Sequence, residues 1–155
     1  MALARACIGF NAHPMAISRR PVLLYDGECG LCQCFVRLML RHDRRGVLYF
    51  APLKGPTAQA FLRAHGLKTT DFDSLVFVDD LLRPDALFYQ RSAGVLAALV
   101  ELGGWGRWFS RTLAVVPLTW LDTGYRLIAS LRYRIFGHYL PKPLPNPDWA
   151  RRILD

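Results

Sequence analysis

Val22-Leu23-Leu24-Tyr25-Asp26-Gly27-Glu28-Cys29-Gly30-Leu31-Cys32-Gln33-Cys34 is the stretch on which the reading of the whole chain turns. Val22 to Tyr25 is short, apolar and led by a β-branched residue, the pattern of a buried strand. Asp26-Gly27 breaks that strand into a turn, because glycine adopts backbone angles closed to other residues. Leu31, Phe35, Leu38, Met39 and His42 then recur at three- and four-residue steps, which predicts a helix over 30–42 with these residues on its apolar face. Cys29 and Cys32 stand where the turn passes into that helix.

The placement has a chemical consequence. The first turn of a helix presents unpaired N–H groups and the positive end of the macrodipole. A thiolate there is favoured over the thiol, whose free pKa is about 8.5, and the thiolate is the attacking species in disulfide exchange. This reading makes Cys29 the attacking sulfur and Cys32 the resolving one, with the flanking turn leaving the pair exposed. Asp26 is positioned either to accept the proton of Cys32 during resolution or to bind backbone N–H groups in an Asx turn. Glu28 opposes the effect, since a negative charge beside a thiol raises its pKa. Two other readings compete: half of a zinc site, or two cysteines filling the core. Cys34 lies about 200° round the helix from Cys32 and so does not complete a zinc site with it; it reads as a small core residue. Neither a metal nor a cofactor is expected.

Length and composition fit a single domain with a real core. The chain has 155 residues, 52% of them apolar, and four cysteines, too few and too clustered for a secreted disulfide scaffold. Without a signal peptide of the usual form or a run of ~18 apolar residues, a cytoplasmic location and no transmembrane span are expected. The formal net charge of +8 comes mainly from arginine, with lysine only at Lys54, Lys68 and Lys142. No nucleic-acid motif accompanies the charge, so an ordinary solvated basic surface is expected rather than a nucleic-acid partner.

Along the chain, residues 1–20 lack periodicity and read as a tail, or as a stretch preceding a true start at Met15; Cys7 has no predicted role. Val47 to Ala51 reads as a second strand, Thr57 to His65 as a helix burying Ala58, Phe61 and Leu62, and Leu75 to Val78 as a third strand. Ala86 to Gln90 pairs with it as a hairpin, and Ser92 caps a helix running to Leu102. Strands joined by helical crossovers are expected to be parallel. The order βα, βα, ββ, α over 21–104 is that of a thioredoxin-like α/β fold, a mixed sheet flanked by helices. From Trp105 the composition shifts to an extension, 105–155, with helices over 105–115 and 118–134 and a proline-rich tail. Its aromatic stripes read first as core packed on the sheet domain; a basic, aromatic helix resting on a membrane surface is the alternative.

Asp26-Gly27-Glu28-Cys29-Gly30-Leu31-Cys32 after an apolar strand resembles the Asp-x-x-Cys-x-x-Cys signature of the DCC family of thiol–disulfide oxidoreductases. Arg41-His42-Asp43, Phe50-Ala51-Pro52-Leu53, Ser74-Leu75-Val76, Arg91-Ser92, Tyr133-Arg134-Ile135-Phe136-Gly137 and Pro143-Leu144-Pro145 extend the resemblance from Pro21 to Leu154. It implies a thioredoxin-like fold and dithiol chemistry at Cys29 and Cys32, with Asp26 as the third signature residue. Members often carry a cysteine before the C-terminal Pro-Leu-Pro, where this chain has Lys142. Thioredoxins place a cis-proline ahead of the third core strand to hold a substrate's backbone; Ser74 stands at that position here and is the expected substrate contact. The expected function is exchange between a Cys29–Cys32 dithiol and an unknown protein or small-molecule disulfide. The alternative is a non-catalytic adaptor of the same fold, binding a partner protein or membrane surface through its C-terminal helices.

Overall fold

The computed structural model describes residues 19–70, 75–137 and 146–154. Ser74, Cys7, Lys142 and the readings of the first eighteen residues and of the prolines at 141, 143 and 145 lie outside them. Strand β1 (Val22–Tyr25) leads into helix α1 (Gly30–His42), then β2 (Tyr49–Pro52), α2 (Pro56–Ala64), β3 (Val76–Val78), β4 (Phe88–Gln90) and α3 (Arg91–Glu101). Helices α4 (Gly104–Leu113) and α5 (Leu118–Phe136) follow, with a last short turn, α6 (Pro147–Ala150).

The four strands form one mixed sheet in the order β2-β1-β3-β4. β1 sits inside it, parallel to β2 and antiparallel to β3, while β3 and β4 form the antiparallel hairpin. Helices cover both faces, so this is the thioredoxin-like arrangement. The alternation of β1 explains the layering. Leu23 and Tyr25 point into a cluster with Val36 and Met39 of α1 and Ala98 and Leu99 of α3. Val22 and Leu24 point the other way, into a cluster with Ala58, Phe61 and Leu62 of α2. All four β1 residues are buried, as a strand covered on both sides requires.

Four expectations are corrected. The α2 crossover does not give a parallel neighbour: β3 lies antiparallel to β1, on the side away from β2, where its hydrogen bonds to β1 and its hairpin with β4 set its direction. Ser92 is not the cap of α3; Gln90 holds that position, and Ser92 lies in the first turn, where its hydroxyl donates to Asp122 of α5. The buried face of α1 is Cys32, Val36, Met39 and Leu40, with Leu31 and Phe35 on its flank and Leu38 exposed. Cys34 is exposed, because the half-turn that separates it from Cys32 carries it to the solvent side.

The free edge of β2 is occupied by the C-terminal segment. The Phe50 N–H donates to the Arg152 carbonyl at 2.8 Å and the Leu154 N–H to the Phe50 carbonyl at 2.7 Å. Arg152 reaches past this edge to Asp43, at the end of α1, with 2.7 Å between Nη2 and Oδ2. The same carboxylate accepts the Leu48 N–H at 2.8 Å. Its side chain is fully buried, so removing it strands a guanidinium and an amide together. Asp43→Ala is therefore expected to lose about 3–5 kcal/mol of stability, the usual range for breaking a buried pair from one side, read as a lower urea midpoint at unchanged slope.

Candidate dithiol site

The turn after β1 is built by its own side chains. Asp26 Oδ1 accepts the Glu28 N–H at 3.0 Å, the Asx turn that short polar side chains form. The Cys29 N–H donates to the Asp26 carbonyl at 3.3 Å, and the Cys29 carbonyl accepts the Gln33 N–H at 3.0 Å as the first bond of α1. Cys29 is thus the residue that caps α1, in an extended conformation. The Gln33 side chain donates to the Gly27 carbonyl at 3.0 Å and closes the loop.

Both cysteines are free thiols, and their side chains are within hydrogen-bond reach of each other. Their burial differs from the exposure expected of a turn: Cys29 is 0% exposed and Cys32 8%. Both belong to the core cluster beneath β1 and α1, and the last turn of α5 lies across the beginning of α1. A Cβ added to Gly30 would sit 2.6 Å from the Phe136 carbonyl oxygen, a distance real Cβ atoms do not reach. Only glycine at position 30 lets the two backbones come this close.

Asp26 is buried and faces the same helix end. Its Oδ2 lies 3.3 Å from Arg132 Nη2, with both side chains almost wholly buried, and it also accepts the Tyr133 hydroxyl. The Arg132 guanidinium stands over the Tyr133 ring, 5.0 Å from its centroid. Burial is the main force that pushes the Cys32 thiol up to about 12, reinforced by the charge of Cys29 and the hydrogen bond to it, and by Asp26, while Arg132 pulls it down. Burial likewise leads the rise of the Tyr133 hydroxyl to about 12, with its bond to Asp26 second. Burial lowers Arg132, but the negative forms of Tyr133, Cys32, Asp26 and Cys29 around it more than offset this, and its shift is upward. Arg132 is therefore the cation that answers both the carboxylate and the sulfur pair.

A cleft of about 830 Å³ opens beside this cluster, lined by Asp26, Glu28, Lys54, Arg63, Arg132 and Tyr133 among others. Glu28 is turned across it to Lys54, at 2.7 Å and with both side chains exposed. Neither Cys29 nor Cys32 lines this cleft.

The structure thus brings Asp26, Cys29 and Cys32 together. The Asx-turn reading of Asp26 is realised, and its second oxygen faces α5. Ser74 is outside the described residues. Arg132 and Tyr133 were not among the expected site residues. A signal for Arg132 was present: Leu121, Tyr125, Ala129 and Arg132 form the inward stripe of α5, and a charge on such a stripe needs a buried partner.

Comparison with known proteins agrees with the motif. A family model described as DCC1-like thiol-disulfide oxidoreductase matches residues 23–138. The uncharacterized protein YuxK of Bacillus subtilis (strain 168) is 35% identical over 133 residues, covering 86% of this chain and 93% of that one. A DCC family protein of Arabidopsis thaliana, At1g52590, described as chloroplastic, is 29% identical over 119 residues, covering 77% and 66% respectively. No solved structure matches the chain significantly. No helix of the described residues is long and apolar enough to cross a membrane.

Two outcomes follow from this geometry. Gly30→Ala pushes the end of α5 off α1, so both thiols should react faster with iodoacetamide and stability should fall by about 1–3 kcal/mol, as in other overpacked sites; alkylation at the wild-type rate would mean that α5 is not the seal. The raised Cys32 value sets a pH dependence. Above the ordinary thiol value the unfolded chain loses this proton, while the folded one keeps it to about 12. Stability should therefore decline as pH rises through that window. Urea melts of Cys32→Ala should show a shallower decline, with the remainder including Tyr133, which shifts in the same direction.

Proposed function

The chain belongs to the DCC1-like thiol-disulfide oxidoreductase family, and from that membership we propose that it is an enzyme cycling Cys29 and Cys32 between dithiol and disulfide. The observation that carries this reading is a pair of free thiols in mutual reach at a strand-to-helix junction, with the buried Arg132 guanidinium close by.

In the reducing direction the Cys29 thiolate, at the start of α1, attacks one sulfur of a substrate disulfide. A bond from Cys29 to the substrate forms, the substrate S–S bond breaks, and the departing sulfur leaves as a thiolate that takes a proton from solvent. Cys32 holds its proton up to about 12, so it waits as a thiol and donates its hydrogen bond to the attacking sulfur. In the second step its proton passes to Asp26, the Cys32 sulfur attacks Cys29, and the mixed bond breaks. The second substrate thiolate departs with the proton from Asp26, leaving the Cys29–Cys32 disulfide and the free carboxylate. Two electrons leave the cysteine pair, and the reverse sequence oxidises a substrate dithiol. Arg132 and Tyr133 are positioning residues: they hold the Asp26 carboxylate against the pair. The cleft beside them is the approach for the substrate, and movement of the α5 end gives it the sulfurs. Ser74 is the proposed contact for the substrate's backbone. A reducing compartment such as the cytoplasm keeps the pair in the dithiol form between turnovers.

Exchange with an aromatic disulfide, followed by thiolate release, tests the reading. Cys29→Ser should bring the rate down to that of the uncatalysed reaction. Cys32→Ser should complete the first step and accumulate a mixed disulfide on Cys29, visible by intact mass. Exchange by Cys29→Ser at the wild-type rate sinks the proposal.

A further inference from the structure

Helix α4 is turned inside out. Its small residues face the protein: a Cβ on Gly106 would sit 2.5 Å from the Leu99 carbonyl oxygen, and the Ser110 hydroxyl donates to the Leu96 carbonyl at 3.1 Å. Trp105, Trp108 and Phe109 are exposed instead. At 3.6 residues per turn they share an arc of about 100°, with Arg107 and Arg111 on the arc beside it. The expectation that these aromatics are core is therefore overturned, because the close approach of α3 leaves room only for the glycine and serine. α5 repeats the pattern: Leu121, Tyr125, Ala129 and Arg132 face inward, while Trp120, Leu127, Ile128 and Ile135 are exposed. Between the two helices Val115 is 84% exposed, and Trp108 and Trp120 on either side of it are 68% and 74% exposed.

The charge on this surface has one sign. Among the described residues of 104–136 the exposed ionic side chains are Arg107, Arg111, Arg126 and Arg134. Asp122 is held by Ser92, and Arg132 is turned in to Asp26. At the start of α4 a hollow of about 600 Å³ is lined by His42, Arg44, Arg45, Trp105 and Arg107, among others. Exposed tryptophans flanked by arginines, with no exposed carboxylate, match the chemistry of a membrane interface, where rings sit at headgroup depth and guanidinium groups meet phosphate. We propose that the α4–α5 corner docks this protein peripherally on anionic phospholipid membranes, with Trp108, Val115 and Trp120 entering the interface and Arg107, Arg111 and the basic hollow binding headgroup phosphates. Occupancy by lipid is favoured over a rigid protein surface because the apolar residues run round a helix–turn–helix corner rather than lining a groove.

Co-sedimentation of the full chain with vesicles decides it, using phosphatidylcholine alone and with about one third phosphatidylglycerol. The wild type should partition onto the anionic vesicles, with a blue shift of tryptophan emission and loss of binding as salt rises. Trp108→Ser/Trp120→Ser and Arg107→Gln/Arg111→Gln should each weaken partitioning about tenfold or more, while disulfide-exchange rates and thermal melts stay at wild-type values and so establish that the variants fold. Absence of partitioning by the wild type overturns the proposal, as does undiminished binding by the tryptophan variant. A homodimer dissolved by the tryptophan changes, without vesicle binding, also overturns it and makes the face a contact between two copies.

Discussion

The buried carboxylate of Asp26 is the joint on which this molecule is assembled. One oxygen shapes the turn that starts α1, and the other is taken by Arg132 and Tyr133 from the far end of α5. A carboxylate out of water is tolerated only with a cation and hydrogen bonds around it. The requirement holds the end of α5 beside the thiols and sets a cation near Cys32. Fold and site therefore share one set of atoms: the contact that holds the last long helix in place is also a wall of the cleft beside the cysteine pair.

The sheet domain was legible in the sequence because its signals are local. The apolar run of β1, the Ala58, Phe61 and Leu62 stripe of α2 and the hairpin strands each sit within two residues of their expected bounds. Cys29 and Cys32 were legible for the same reason, since spacing and turn lie in one short stretch. What was hidden depends on contacts far apart in the chain. Arg132 pairs with a residue more than a hundred positions away, and Cys29 is buried among β1, α1, β2 and α3 residues that its own turn does not announce. The α4 aromatics misled because periodicity reports amphipathicity without saying which side faces in; Gly106 and Ser110, small residues at i and i+4, were the clue. Cys34 was misplaced although its own angle round the helix put it outside. The corrections to Ser92 and to the direction of β3 are of the same distant kind, set by Asp122 on α5 and by the strand order.

α5 carries two surfaces with opposite demands. Its inner stripe meets the carboxylate and the start of α1, where Gly30 allows backbone contact; its outer stripe is apolar and uncovered. Along its length the helix is fixed by the Ser92 hydroxyl donating to Asp122 and by the Tyr125 hydroxyl accepting the Leu75 N–H at 3.0 Å. Whatever rests on its outer face therefore touches the same helix that carries Arg132 and Tyr133 to Asp26.

Both deeply buried acids beside α1 are answered from much later in the chain. Asp26 is separated from Tyr133 by 107 positions, and Asp43 from Arg152 by 109. During translation the strand and its two cysteines leave the ribosome long before either guanidinium has been synthesised. The nascent chain must keep these carboxylates hydrated and the sulfurs open to passing oxidants until the C-terminal helices emerge. Contacts of such long sequence separation also slow the closing step of folding. A newly made molecule is thus most vulnerable to mispaired cysteines in the interval between making its reactive pair and making the helix that covers it.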